Sequence, residues 1–422
     1  STGQHPGGIV VVPNYKEIID VTPVQYPADD IDSPWRTTHF DYHSFEDNLF
    51  KLDVLGHDDP TMIRYLMDYV ALKPLEFPFA KAEDIPLDDP EVYKLLNGTD
   101  VIGLSTEDLN SSVASFGIPE MGTNFVRGML TDSRPETFAD IVKISGLSHG
   151  TDVWLNNAKD LVLGKNVKYG KIPFSEVIGC RDDILVYLIE NGMEQATAFE
   201  IAEFVRKGKP TKDKLKWDGY KIIMREAKIP EWYIWSCGKI KYMFPKAHAT
   251  AYVMMALRIA WFKLYKPILF YSAYFSKRAS DFDVYAFKGG EYTITKRMNE
   301  IDEKGNRASD TERRLYTVLE IALEMVKRGF KFNPIDINKS MARDFVIGED
   351  GKSLLIPFIT VDGLGPNVAY SIVEARKDAP FKSKDDVMER SSLSKTLFTK
   401  FEMLDAFGDL PDNSQINLFE FS

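Results

Sequence analysis

The sequence predicts an α+β protein with several domains. At roughly 150 residues per domain, its 422 residues suggest two to four domains, and a hydrophobic content of 44% supplies a core for each. The first sixty or so residues are β-rich, residues from about 60 to 280 follow a helical pattern, and a tail of about ninety residues carries a motif of its own.

Three short stretches near the start have the pattern of β-strands. Residues 9–12 are apolar and end at Pro13, residues 37–43 alternate, and residues 49–55 stop at Gly56. We expect these strands to share one sheet.

The third strand carries the first candidate site. A side-chain period of two places Lys51 and Asp53 on one face. An acid and a lysine side by side suit a site where the carboxylate holds Mg²⁺ and the lysine meets phosphate oxygens. A solvated strand face is the alternative. His39, Asp41 and His43 also share a strand face, but we expect solvated or core roles for them and no zinc site.

Amphipathic helices are predicted at residues 60–69, 181–191, 195–206 and 311–328, the last followed by a turn at Gly329. The apolar stretch 249–262 is interrupted by a charged residue and is shorter than the ~20 residues of a membrane span. We expect no transmembrane helix. The two cysteines cannot form a disulfide framework, which suits a reducing cytoplasm.

Charge is distributed unevenly along the chain. The net charge of −11 argues against a protein that coats nucleic acid or anionic membrane by bulk charge. Residues 206–246, however, contain twelve basic residues against four acidic ones. A polyanion site is therefore expected to be local.

Residues 145–154, Ser-Gly-Leu-Ser-His-Gly-Thr-Asp-Val-Trp, predict a hydroxyl-rich turn before a helix. Such a turn offers backbone N–H groups and hydroxyls to phosphate. An ordinary helix start with Thr151 or Asp152 as the N-cap explains the pattern equally well.

Residues 239–252 predict a second candidate segment, in which Pro245 precedes a helix and Lys246, His248 and Tyr252 lie near its first turns. His248 and Tyr252 are four residues apart and so are neighbours on the helix surface. Cations beside an aromatic ring suit a triphosphate with a stacked base. The alternative is a buried amphipathic helix with a snorkelling lysine. Both interpretations are correct if they apply to different faces of the helix.

The tail contains an apolar-x-Gly-apolar-Gly turn at residues 359–369, with Gly363 and Gly365 followed by Ala369. This is the helix-hairpin-helix pattern, whose glycines let backbone N–H groups approach a DNA phosphate without base readout. A purely structural hairpin is the alternative. Residues 392–407 look like a degenerate partner hairpin that packs more than it binds.

The last residues contain Gln415, Leu418 and Phe419 in the pattern Q-x-x-L-F. In a short extended peptide, the leucine and phenylalanine fill an apolar pocket while the glutamine bonds at its rim.

Five segments together carry a family resemblance, namely residues 3–8, 50–60, 145–154, 179–183 and 244–249. The chain resembles the C-terminal part of bacterial C-family replicative DNA polymerases, in particular the PolC-type alpha subunit of DNA polymerase III of Gram-positive bacteria. The tail, with the clamp-like peptide just after the hairpin pair, favours this branch over the DnaE branch. The opening turn, without a methionine, suggests a cut inside a longer protein.

The resemblance implies a domain order. Residues 1–62 would be the C-terminal part of a palm with a polymerase-β-like nucleotidyltransferase fold, and residues 63–284 mainly α fingers. Residues 285–422 would form a duplex-binding domain, with a helix-hairpin-helix at 356–410 and a clamp-binding peptide at 415–419.

The resemblance also implies template-directed nucleotidyl transfer by two Mg²⁺ ions held by three aspartates. Asp53 matches the third aspartate. The family's first two lie upstream of this chain, so the active site is expected to be incomplete without an upstream segment. We do not expect the Asp-x-Asp triplets at 30–32 and 281–283 to be the family's first two aspartates.

The implied contacts and partners extend over the whole chain. Expected partners are primer–template DNA, a dNTP, a sliding clamp and the upstream part of the polymerase, in the cytoplasm and without a membrane. Nucleotide contacts are expected from Lys51, Ser148, His149, Arg181, Lys241, Lys246, His248 and Tyr252. DNA contacts are expected from Lys207, Lys209, Gly363, Gly365 and Asn367, and clamp contacts from Gln415, Leu418 and Phe419.

Two other functions compete with this interpretation. The hairpin and the terminal peptide alone would suit a non-catalytic module that binds DNA and a clamp. An RNA-synthesising nucleotidyltransferase would differ in its choice of sugar.

Overall fold

The computed structural model describes residues 8–53 and 57–413. It divides the chain into two compact units, Ser1–Asp58 and Asp59–Ser422. The first contains short strands and 3-10 turns, and the second is mainly helical, which confirms the predicted α+β class.

The first unit has two small antiparallel strand pairs. Strand β1 (Gly8–Val11) pairs with β4 (Phe50–Asp53), and β2 (Val24–Gln25) pairs with β3 (Thr37–Thr38). The prediction of one shared sheet is therefore wrong.

The strand predicted at residues 37–43 is shorter in the structure because the chain turns after Thr38. The Thr38 hydroxyl donates to the carbonyl of Phe40 over 3.1 Å. Residues Tyr42–Ser44 then form a 3-10 turn, in which the Ser44 N–H bonds to the carbonyl of Asp41 over 2.9 Å.

One face of the β1–β4 pair is apolar and open. Lys51 lies opposite Val10 in the register. The alternate positions Ile9, Val11, Phe50 and Leu52 have exposed fractions of 47%, 40%, 67% and 46%.

The second unit begins with a series of helices, several of which pack against one long helix. Predicted helices at 60–69, 181–191 and 195–206 are confirmed within two or three residues at each end. The helices are α1 (Asp58–Leu72), α2 (Pro90–Lys94), α3 (Thr106–Leu109), α4 (Asn124–Ser133), α5 (Phe138–His149), α6 (Lys159–Val162), α7 (Arg181–Glu190), α8 (Gln195–Arg206), α9 (Lys214–Glu226), α10 (Glu231–Lys239), α11 (Lys246–Tyr265) and α12 (Pro267–Ala273).

The remaining helices belong to the last part of the chain, where α15 confirms the helix predicted at 311–328. They are α13 (Val284–Gly289), α14 (Glu291–Lys304), α15 (Asp310–Lys327), α16 (Pro366–Asp378), α17 (Lys384–Arg390) and α18 (Lys395–Met403). A three-stranded sheet lies between α15 and α16, with β7 (Ser353–Leu355) between β5 (Lys331–Asn333) and β6 (Val346–Ile347). In the described part of the chain, no helix is both long and apolar enough to cross a bilayer.

Helix α11 is the centre of the packing. It contacts α2, α5, α7 and α12. Its middle turns, from Val253 to Phe262, are mostly buried, which confirms the core role predicted for that stretch.

A buried ion pair fixes the end of α11. The Lys263 Nζ donates to Glu324 Oε2 over 2.8 Å and to the carbonyls of Ala114 and Phe116 over 2.7 and 2.6 Å. The Tyr271 hydroxyl donates to the other carboxylate oxygen of Glu324 over 2.6 Å. Burial lowers the pKa of Lys263 to about 8. The ammonium thus uses all three of its donors, and α11, α12 and α15 are joined at one point.

Replacing Lys263 with methionine should lower the free energy of unfolding by about 3–5 kcal/mol, because Glu324 is left buried without its cation. Urea denaturation followed by circular dichroism measures the loss. Lys296→Met, an exposed lysine on α14, is the matched control and should stay within about 0.5 kcal/mol of the parent. Equal stability of the two variants would contradict this role of the pair.

Candidate functional site

An aromatic cluster joins the end of α5 to the start of α11. The ring centroid of His248 lies 4.7 Å from that of Phe244 and 4.6 Å from that of Tyr252. The His149 ring centroid lies 5.7 Å from those of Phe244 and His248. The predicted proximity of His248 and Tyr252 is confirmed, and His149, from another predicted motif, joins them.

Glycines allow the close approach that positions this cluster. A Cβ on Gly146 would stand 2.5 Å from the carbonyl oxygen of Gly179, so α5 can cross that segment only with glycine there. The Arg181 N–H donates to the carbonyl of Phe244 over 3.2 Å. Pro245 then precedes α11, as predicted.

The prediction of a turn before a helix at residues 145–154 is wrong for residues 145–149, which are the last turn of α5. Residues 150–153 are non-helical, and a short helical segment follows from Trp154 into α6. The helix begins earlier because Thr137 and Asp140 form a capping box. The Ser148 hydroxyl donates to the Ser145 carbonyl over 2.9 Å, and His149 Nδ1 lies 2.6 Å from the same oxygen. A helix C-terminus presents carbonyls, so any anion here must be bound by side chains.

Three of the predicted nucleotide-binding cations, Lys241, Arg181 and His149, already have acidic partners. Lys241 Nζ lies 2.7 Å from Asp152 Oδ2. The Arg181 guanidinium contacts Asp182 at 3.0 Å and Glu203 at 3.4 Å. A bound anion would therefore compete with these carboxylates for the two cations.

Lys246 differs from the other two cations. Its backbone N–H, at the start of α11, donates to Asp182 Oδ2 over 2.6 Å. Its side chain is exposed and makes no ion pair with any residue that the structure describes. The ammonium of Lys246 is thus available to an anion near the start of α11.

His149 is the third cation with an acidic partner. Its Nε2 lies 2.9 Å from Glu120 Oε2. The hydrogen bond to Glu120 raises the pKa of His149 above its ordinary value, against the opposing effect of burial. Glu120 adopts a left-handed backbone with φ +64°. No motif near Glu120 signalled this contact, because it joins distant parts of the chain.

A basic loop lies beside Lys241. Lys207 and Lys209 are exposed and flank Gly208. Gly208 has φ +66°, and a Cβ there would stand 2.0 Å from the carbonyl oxygen of Lys241, so both the backbone and the space require glycine. The structure thus brings two predicted DNA-binding lysines next to a predicted nucleotide-binding one.

The predicted hairpin turn in the tail is present. Gly363 has φ +80°, and Gly365 precedes α16, with Asn367 exposed in the first turn of that helix. The Lys400 Nζ, on α18, donates to the carbonyl of Asp362 over 2.6 Å. The turn is therefore tied to the degenerate hairpin, and its glycines face solvent.

In the first unit, Asp53 is the last residue of β4. Lys51 is half-buried, with its ammonium 4.8 Å from the ring centroid of Tyr42. The motif at residues 3–7 and the clamp-binding residues Gln415, Leu418 and Phe419 lie outside the described residues.

The acidic triplet at 281–283 precedes α13 rather than lying inside a helix. Asp281 contacts Arg314 at 2.8 Å, and Asp283 contacts Arg297 at 3.2 Å. Asp283 also accepts the N–H of Ala286 as the N-cap of α13. These contacts fit the structural role expected for the triplet.

Asp59 and Glu120 are an acidic pair of the second unit that could hold a cation, with carboxylate oxygens within 4.8 Å of each other. Each has a basic neighbour, since Arg278 contacts Asp59 and His149 contacts Glu120.

Comparison with known proteins decides the family. Residues 59–227 match the family model described as the bacterial DNA polymerase III alpha subunit finger domain, and residues 1–56 match that of the bacterial DNA polymerase III alpha NTPase domain. Residues 329–416 match a helix-hairpin-helix motif. The chain is 52% identical over its whole length to a DNA polymerase III PolC-type of Streptococcus sanguinis. It is also 52% identical, over 99% of its length, to one of Bacillus cereus.

The chain belongs to the PolC-type DNA polymerase III family. It spans 28% of the length of these two curated relatives. His149 and the basic loop lie in the part that matches the finger domain, whereas His248 and Tyr252 lie beyond its end at residue 227. The hairpin turn lies in the part that matches the helix-hairpin-helix motif.

Replacing Glu120 with glutamine should lower the pKa of His149 relative to the parent, because the carboxylate that raises it most is lost while burial still lowers it. In the parent, the stabilisation from protonated His149 is fully present below about pH 6.5 and is lost as the pH rises through the raised pKa. Histidine NMR titration measures both variants. Glu107→Gln, at an exposed position on α3, should leave the pKa unchanged. An unchanged pKa in Glu120→Gln would contradict the assignment.

Proposed function

We propose that this chain is part of a DNA-directed DNA polymerase that carries out template-directed nucleotidyl transfer. The observation that carries the proposal is the cluster at the start of α11, where the His149 ring lies beside those of His248 and Tyr252, and Lys241 and Lys246 belong to the same short segment of the chain. Cations next to aromatic rings suit a dNTP, whose triphosphate is anionic and whose base stacks. The family membership supports the same reaction.

The side chains of the cluster bind and orient the nucleotide. Lys246 meets the triphosphate first, because its ammonium has no acid among the described residues to displace. In the free protein, carboxylates neutralise the charges of Lys241 and Arg181. When the nucleotide binds, both side chains exchange these carboxylates for phosphate oxygens. Tyr252 and His248 provide the surface on which the base lies. Ser148 lies beside His149 and offers a hydroxyl to the same ligand.

Asp53 supplies one of three carboxylates for two Mg²⁺ ions, and an upstream segment supplies the other two. A carboxylate is the oxygen ligand that Mg²⁺ prefers. The bound ions would activate the primer 3′-OH and stabilise the leaving pyrophosphate. Lys51 lies two positions before Asp53 on β4. Its ammonium lies over the Tyr42 ring and would leave that ring to contact a phosphate.

The open face of the β1–β4 pair supports the need for an upstream segment. Four apolar side chains, Ile9, Val11, Phe50 and Leu52, are each at least 40% exposed. A two-stranded sheet is marginal alone, and an exposed apolar face of this kind is typical of an interaction surface. We propose that more of the palm covers it.

The domain boundaries follow the same proposal. We assign residues 1–62 to the palm, 63–284 to the fingers and 285–422 to the duplex-binding domain. The division between the two units at Asp58 and Asp59 supports the first boundary, as does the finger-domain match from residue 59.

Primer–template DNA and a sliding clamp are the proposed macromolecular partners. The hairpin turn at Gly363 and Gly365, with Asn367, would bind duplex phosphate, and Lys207 and Lys209 would add electrostatic contacts. Residues 415–419 would bind the clamp as an extended peptide. The cytoplasm is the proposed location.

Primer extension tests the catalytic proposal. The chain is mixed with the upstream polymerase segment, primer–template DNA, dNTPs and Mg²⁺. Asp53→Asn should lower incorporation at least about 100-fold, since even indirect partners of a metal site are worth 10- to 100-fold. DNA affinity should be retained. Asp30→Asn, in the triplet at 30–32, is the matched control and should leave incorporation unchanged.

Two outcomes would point elsewhere. Unchanged incorporation in Asp53→Asn would favour the non-catalytic module that binds DNA and a clamp. Preference for NTPs over dNTPs would favour an RNA-synthesising enzyme.

Gly365→Ala should weaken duplex DNA binding about tenfold without lowering stability. Gly365 has φ −78°, and a Cβ at this position would meet only open space, so alanine fits the free protein. The methyl group would stand between the backbone and a phosphate, and a hydrogen bond to a charged group is worth about 1.5–3 kcal/mol. Fluorescence anisotropy with a labelled duplex measures the affinity.

The control for this substitution is Gly128→Ala, at another glycine of the second unit with open space around it. Equal duplex affinity for the two alanine variants would show that the hairpin turn is only structural.

A further inference from the structure

A pocket of about 250 Å³ lies between α9 and α10, beside the loop that carries Tyr169. It is lined mainly by aromatic and basic side chains, including Tyr169, Trp217, Trp235 and Lys239. None of these residues belongs to the proposed nucleotide site or to the hairpin turn.

Two half-buried rings form one side of the pocket. The ring centroids of Tyr169 and Trp235 lie 5.7 Å apart, and their planes are inclined by 53°. Each ring carries a lysine, with Lys168 Nζ 4.9 Å from the Tyr169 centroid and Lys239 Nζ 5.4 Å from the Trp235 centroid. Flat apolar surface and positive charge are therefore adjacent at both rings.

A glycine leaves space beside the third ring, that of Trp217, which is itself buried. Gly238 lies inside α10, where glycine costs about 0.5–1 kcal/mol relative to alanine, and a Cβ there would stand 3.3 Å from Trp217 Nε1. Within residues 8–53 and 57–413, this indole N–H has no hydrogen-bond acceptor. A side chain at position 238 would cover the donor that glycine leaves open.

The charges around the pocket favour an anionic ligand. Arg225 and Glu231 neutralise each other through two hydrogen bonds of 2.6 and 3.1 Å. Lys168 and Lys239 form no ion pair with the described residues, and both are exposed. Two ammonium groups thus remain for a ligand that also presents a flat ring.

We propose that this pocket binds single-stranded nucleic acid, with an unpaired base stacked on Trp235 and Tyr169 and the flanking phosphates on Lys239 and Lys168. Stacking accepts any base, because every base has a flat face, and lysines beside the rings bind the backbone. A duplex, whose bases are already stacked and paired, offers no ring to the pocket. The proposal concerns strand binding alone and does not require nucleotidyl transfer.

Anisotropy of a labelled oligo-dT and of a blunt labelled duplex, each titrated with the 422-residue chain, tests the proposal. Trp235→Leu should weaken oligo-dT binding about 5- to 100-fold, the range expected for loss of one stacked base. Duplex affinity should change less than about twofold. Trp235→Phe keeps a flat ring and should retain most of the oligo-dT affinity.

An exposed lysine provides a second variant that does not disturb packing. Lys239→Gln should reduce the slope of log affinity against log salt for oligo-dT by about 0.7, the value for one phosphate contact on a single strand. Tyr292→Leu, which removes an exposed ring on α14, is the matched control and should bind oligo-dT as the parent does.

Oligo-dT binding by Trp235→Leu that equals the parent's, together with an unchanged salt slope in Lys239→Gln, would overturn the proposal. An equal loss of duplex and oligo-dT affinity in Trp235→Leu would also overturn it, because the pocket would then not distinguish unpaired bases.

Discussion

The buried ion pair between Lys263 and Glu324 anchors the last turn of the central helix α11 against α15. Removing a charge from water is costly, and the pair is tolerated only because both partners are fully hydrogen bonded. At the other end of α11, the Lys246 N–H is held by Asp182. His248 and Tyr252, two members of the aromatic cluster, therefore stand on a helix held at both ends, at Lys246 and at Lys263.

Acidic side chains set the electrostatics of the cluster. Asp152, Asp182, Glu203 and Glu120 each contact a basic residue of the predicted nucleotide site. These pairs explain how a chain with a net charge of −11 keeps basic side chains together without repulsion between them. They also impose a condition on binding. The interaction of an anion with each cation must be at least as favourable as that of the carboxylate it replaces.

Local sequence signals predicted the helices well where caps mark their ends. Helix α8 begins after Glu194, whose carboxylate accepts two N–H groups, and it has the bounds that the sequence predicts. The error at residues 145–149 arose because the capping box that starts α5 lies eight residues upstream of that motif. Glu120 and Asp152, the acidic partners of His149 and Lys241, could not be predicted, because their contacts depend on tertiary packing. The two-residue strands β2 and β3 are too short for an alternating pattern to define.

Histidine NMR tests the central claim most directly, that the start of α11 and the end of α5 form the nucleotide site. The chain has six histidines, and their ring signals would be followed in the complex with the upstream segment and primer–template DNA. Addition of a non-reactive dNTP analogue should shift the signals of His149 and His248 and leave that of His39 in place. Saturation with the analogue while the His149 and His248 signals stay unchanged would contradict the account.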